Sequence, residues 1–202
     1  GSLSVIGTAV GSDGIEITPG GSGAGVNTVA ATAITMEGRS NAATGIKIEG
    51  MDTATASGAL TLKAASDSGD RAIDIRESDF VVGSATFGGI DSPYAAAQEE
   101  GIFFDDSRLT ATGPIVLKGN ATTADGGGGI VFDWDEDAIA SNLLVKGASI
   151  IVDGESTADG SGVYFGDRVQ LETTGGSIEI SATSASGAAA VAVKELRAKT
   201  GG

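Results

Sequence analysis

The sequence predicts an all-β fold, a single right-handed parallel β-helix of about seven coils with three short strands each. Three observations carry this. A pair of short apolar strands recurs roughly every 29 residues, a period that marks stacked repeats. Within the copies, apolar and other residues alternate with period two, and helical spacing is absent except over the short stretch from Tyr94 to Glu100. The composition, 33 Gly, 4% aromatic and 41% hydrophobic in 202 residues, suits thin layers of small and β-branched side chains. It is too apolar for a disordered chain, and it lacks the strict glycine period and proline of collagen.

The first copy reads Leu3-Ser4-Val5, Gly7, Ala9, then Ile15-Glu16-Ile17. The second reads Ile34-Thr35-Met36, Gly38, Ser40, then Ile46-Lys47-Ile48. Leu60-Thr61-Leu62 with Ile73-Asp74-Ile75 follows, and the weakest copy is Ala85-Thr86-Phe87 with Ile102-Phe103-Phe104. The last three are Ile115-Val116-Leu117 with Ile130-Val131-Phe132, Ile150-Ile151-Val152 with Val163-Tyr164-Phe165, and Ile178-Glu179-Ile180 with Val191-Ala192-Val193. A third strand separates successive copies, at Ala54–Ala56, Phe80–Val82, Leu109–Ala111, Leu144–Lys146, Val169–Leu171 and Leu196–Ala198.

Stacking these copies in register makes columns. Positions 15, 46, 73, 102, 130, 163 and 191 are all Ile or Val, and 17, 48, 75, 104, 132, 165 and 193 are Ile, Phe or Val. A one-residue slip would turn Lys47, Asp74 and Glu179 inward, so the register is strongly specified. Gly7, Gly38, Ala64, Gly89, Gly119, Gly154 and Ala182 form a column of small residues expected at a tight corner, where glycine permits positive φ. Gly1-Ser2 reads as a cloning remnant. Residues 3–202 read as coils of a longer exoprotein, because stacked repeats end in polar caps and neither end carries one.

The repeat grammar is apolar-x-apolar-x-Gly-x-Ser/Ala followed by a Gly-Ile/Val-x-apolar strand. It resembles the repeat region of filamentous-haemagglutinin-like adhesins, large exoproteins of two-partner secretion systems, and the related coils of autotransporter passengers. The Asn-Pro-Asn motifs of that family's secretion domain are absent, so the resemblance is to the shaft. It implies an extracellular, bacterial cell-surface location and a role in attachment or cell–cell contact, with a surface receptor or glycan as partner and scope for self-association.

Charge and composition narrow the chemistry. A net charge of −15 disfavours nucleic acid, whose phosphates need clustered Lys and Arg. It also disfavours anionic lipid, and no apolar stretch is long enough for a membrane-spanning helix. Without Cys there are no disulfides or thiolate metal sites, and without His the commonest general base is missing. A β-helix enzyme needs carboxylates converging with a basic or Tyr partner on one outer face. The outward residues show no such convergence, so no catalytic residues are expected. A glycan-binding segment is the second reading, a polysaccharide lyase or hydrolase a distant third.

Candidate binding residues are Phe103, Val131 and Tyr164, which share one outward position on consecutive coils. That row is expected either to be an exposed contact stripe or to lie beneath a long loop, 88–101 or 133–142. Trp134, the single tryptophan, is expected either to stack on a sugar or to cover the rim of the core, and Tyr94 is a further binding candidate because it sits in the 88–101 loop, a candidate contact loop. Acidic residues recur at the end of the Gly-Ile/Val-x-apolar strand (Glu49, Glu77, Asp105-Asp106, Asp133, Asp167, Glu195) and are expected to form one ridge. Asp133, Asp135 and Asp137 are its densest part. Without EF-hand or Gly-Gly-x-Gly-x-Asp spacing, they are expected to hold Ca²⁺ no better than millimolar, and no other cofactor is implied.

Overall fold

The computed structural model describes residues 1–18, 28–51, 53–123, 127–133, 143–157, 159–185 and 188–201. Among them there is no helix; strands pair only in parallel and build a β-solenoid of about six turns, counted from the first of seven stacked rungs to the last. Even the stretch from Tyr94 to Glu100 holds a strand, Ala95–Ala97.

One wall is a seven-stranded sheet made of Ile15–Ile17, Ile46–Glu49, Arg71–Arg76, Glu100–Asp105, Ile130–Asp133, Val163–Phe165 and Val191–Val193. Its two predicted Ile/Val/Phe columns are in register throughout. A thirteen-stranded sheet forms the rest and holds both other rows of strands. The two rows fuse because Thr53–Ser66 and Asp79–Gly88 run unbroken round the corner, their register shifting between Ala56 and Ala59. Leu3, Ile34, Leu60, Ala85, Ile115, Ile150 and Ile178 stack in the predicted order.

The third row departs from the expected alignment in its later coils. Leu109 pairs with Val145 rather than Leu144, and Val145 pairs with Leu171. Val145 is therefore buried and Leu144 only half-buried. Leu143 precedes them and is also buried, so the tripeptide offers three apolar residues and no alternation from which to read a face.

The glycine column has a different cause from the one expected. Gly7, Gly38, Gly119 and Gly154 lie inside strands, and Gly50 is the glycine with positive φ among the described residues. They are required because the two sheets converge there. A Cβ on Gly38, Gly119 or Gly154 would sit 2.0–2.2 Å from the carbonyl oxygen of Gly45, Gly129 or Gly162 opposite. In the fourth coil Ala95, not Gly89, pairs with Gly119, since the chain makes an excursion over residues 89–94 before rejoining the sheet. Two residues beyond the glycine, the Ser of the grammar closes the turn. Ser40 Oγ donates to Ser12 O (2.8 Å) and accepts from Ala43 N (2.9 Å), while Ser66 Oγ donates to Ala43 O (2.6 Å) and accepts from Gly69 N (2.9 Å). Each buried hydroxyl thus ties one coil's turn to its own or its neighbour's backbone, which a buried polar group requires.

Inside, Phe87, Phe104, Phe132 and Phe165 stack as a ladder with centroids 5.8, 5.5 and 5.2 Å apart and rings within 15° of parallel. Leaving the seven-stranded sheet, the chain turns through a left-handed residue after its second, third, fourth and sixth strands: Gly50, Glu77, Asp106 and Arg168, with φ of 60°, 47°, 43° and 54°. Three of these four are not glycine, a conformation that only a well-supported turn maintains.

Candidate functional site

The outward row Glu16, Lys47, Asp74, Phe103, Val131, Tyr164, Ala192 is in register along the seven-stranded sheet, so stacking brings the three expected contact residues together. They are not an open stripe. Phe103 and Val131 are each 8% exposed and Tyr164 is half-buried. Phe103 is covered by two side chains of the preceding coil: the guanidinium of Arg71 lies 3.9 Å from its ring centroid and that of Arg76 5.3 Å. Cation–π attraction favours this arrangement.

Asp74 explains why the arginines stay there. Its side chain is almost wholly buried on what would otherwise be an outer face, and a lone carboxylate there would be costly. Arg76 grips it with Nε at 2.9 Å and Nη2 at 3.2 Å, and Arg71 adds Nη1 at 3.3 Å. Arg71 also donates Nε to Glu100 at 2.7 Å, one coil further on. The hydrogen bond to Asp74 raises the Arg76 pKa further. Burial pushes the Glu100 carboxyl above the usual range, an effect that Arg71 only partly opposes. Two guanidiniums and two carboxylates therefore form one hydrogen-bonded quartet without net charge.

This is a convergence of carboxylates with basic partners on one face, which the sequence reading did not find. The signal was present between coils. Glu100 pairs with Arg71 in register, and Arg76 pairs with Glu49 on one side and Asp105 on the other. The expected acidic ridge is accordingly corrected. Arg76 stands within the column of Glu49, Asp105 and Asp133, while Glu77 and Asp106 belong to the left-handed turn beside it. Elsewhere on the ridge, Lys47 pairs with Glu49 at 3.3 Å, Arg197 with Glu195 at 3.1 Å, and Lys194 with Asp167.

Next to Glu100 the face opens into a cleft of about 180 Å³ lined by Glu100, Gly127, Gly128, Val131, Ser161 and Tyr164. Tyr94 lies elsewhere, on the outside of the thirteen-stranded sheet. Its hydroxyl donates to Asp153 Oδ2 at 2.9 Å, Lys118 Nζ sits 5.3 Å from its ring centroid, and Lys118 also reaches Asp153 at 3.1 Å. The bond to Asp153 pushes the phenol up to about 12. The 88–101 loop is thus fastened to its own sheet by this triad and by Ala95–Ala97. Trp134, Asp135 and Asp137 lie outside the described residues, and so does the Asn142 that follows them. Asp133 ends the Ile130–Asp133 strand, and among the described residues no group of three acidic, His or Cys side chains is placed to hold a metal ion. No protein-family model, no curated protein and no solved structure matches this chain.

Proposed function

We propose that the chain is a shaft segment of a large secreted bacterial surface protein of the filamentous-haemagglutinin-like kind, that it serves attachment to host or neighbouring cells, and that it catalyses nothing. The observation that carries the reading is the unbroken stacking of seven rungs around one core, which makes a stiff spacer, together with a built patch on one outer wall. Asp74 is bound on both oxygens by arginine and Glu100 is bound by Arg71. Carboxylates held in this way order a surface.

Beads coated with the chain should be retained on cell monolayers, and Tyr164→Ala should lower retention while Ala192→Ser, on the same row, should not. Retention no better than albumin-coated beads refutes the attachment role. Release of new reducing ends or unsaturated products from any polysaccharide refutes the non-catalytic one.

A further inference from the structure

The cleft beside the arginine quartet has a specific chemical character. Its one ionisable carboxyl, Glu100, already has its charge met by Arg71 at 2.7 Å. A cationic ligand would find no unmatched negative charge there, and an anionic ligand would find no basic side chain on the lining. The remaining walls are of two kinds. Val131 and the half-buried Tyr164 supply apolar and aromatic surface, and Ser161, Glu100 and the peptide groups of Gly127 and Gly128 supply hydrogen-bonding atoms. An aromatic wall with a polar rim suits a ligand having a C–H face and a hydroxyl edge.

The size is equally restrictive. About 180 Å³ is well below the ~300–1,000 Å³ of sites for drug-sized molecules, so it admits one ring-sized unit. The glycines keep it open: a Cβ on Gly128 would lie 2.9 Å from Val131 Cγ2 and 3.1 Å from Ser161 O, both in the lining. A side chain at 128 would therefore stand within the cleft.

We infer that this cleft is a subsite for one unit of a neutral saccharide, a hexose or N-acetylhexosamine within a longer chain lying along the seven-stranded wall. The inference rests on reading that wall as the contact surface of the shaft. The pyranose C–H face packs on Tyr164 and Val131, and its hydroxyls meet Glu100 and Ser161.

The test is an amide chemical-shift titration of the 202-residue chain with neutral hexose and N-acetylhexosamine hexamers, with uronate and sulfated oligosaccharides in parallel. A neutral hexamer should move the amides of Gly128, Val131, Ser161 and Tyr164. Tyr164→Ala and Gly128→Ala should each weaken that binding at least tenfold under conditions where both variants are folded, the contacts of a Cβ at 128 with Val131 and Ser161 lowering the urea midpoint of the second. Three results overturn the subsite: no neutral hexamer shifting these amides at millimolar concentration, tighter binding of the acidic oligosaccharides, or binding that survives Tyr164→Ala yet is lost in Trp134→Ala. The wild-type shift map decides the matter even where a variant folds poorly. Bead retention that depends on Tyr164 without any neutral saccharide binding overturns the sugar and leaves the contact surface standing.

Discussion

The phenylalanine ladder allows packing in this solenoid to be weighed position by position. Phe87, Phe104, Phe132 and Phe165 are each at most 1% exposed. Truncating any of them to Ala therefore carries a similar transfer and cavity cost, ~3–5 kcal/mol. What differs is the number of ring neighbours. Phe104 and Phe132 each stack on two rings, at 5.8 and 5.5 Å and at 5.5 and 5.2 Å, whereas Phe87 and Phe165 each stack on one. An aromatic pair contributes ~0.5–1.5 kcal/mol beyond its buried area. Phe104→Ala should thus cost about that much more than Phe87→Ala, and Phe132→Ala more than Phe165→Ala. In a chain of this length ~1 kcal/mol moves Tm by ~2–4 °C. Urea unfolding followed by circular dichroism should show the difference as a lower midpoint at constant m-value. The Phe87 and Phe104 pair is decisive, since both belong to one coil and share the same distance from either end. If Phe87→Ala costs as much as Phe104→Ala, the rings are ordinary core and the ladder contributes nothing of its own.

Other positions give sharper contrasts. Gly119→Ala should destabilise by ~1–3 kcal/mol or more through overpacking, because its Cβ would meet Gly129 O at 2.0 Å. Gly175→Ala, with nothing within 4 Å, should stay within ~0.5 kcal/mol in the same urea assay. Glu100 has a raised pKa in the folded state, so its contribution is fully present below the unfolded value of ~4.3 and is lost as pH rises through the folded value. The stability of wild type minus that of Glu100→Gln should therefore fall as pH rises from about 4.3; a flat difference profile counts against burial of this carboxyl. In a Tyr164→Phe background, absorbance titration should place Tyr94 near about 12, and Asp153→Asn should bring it down. An unchanged midpoint would mean the bond from Tyr94 to Asp153 is not formed in solution.

The rungs were legible because each inner column stays apolar across seven coils, and a one-residue slip would bury Lys47 or Asp74 in the core. Legibility ended where that contrast ended. Leu143, Leu144 and Val145 are all apolar, so alternation could not say that Val145 faces inward. The excursion that replaces Gly89 by Ala95 begins with Gly88-Gly89, which resembles the start of the turn it displaces. Glu77 and Arg168 adopt left-handed φ at residue types that carry no turn signal. The site was missed for a related reason. Reading outward residues along one strand shows isolated charges, whereas Arg71 with Glu100 and Arg76 with Asp105 are neighbours only across coils. Phe103 looked exposed by its place in the pleat and is covered by side chains whose reach alternation does not describe.

The direction of the hydrogen bonds between coils has a mechanical consequence. They run along the rod's axis, so tension applied to its two ends opens them in the unzipping direction, and an end rung, held by a neighbour on one side only, peels first. Extension should therefore proceed in discrete steps, one coil at a time, at forces below those needed to shear strands past one another. Step length follows from coil length. Leu60 and Ala85, stacked neighbours, bracket a short coil of 25 residues, and Ile115 and Ile150 a long one of 35. At ~3.3–3.6 Å per extended residue, these release ~80–90 Å and ~115–125 Å of slack. A tether built this way gives ground under load in steps of unequal length and absorbs work at each one, which caps the peak force on the attachment at its far end.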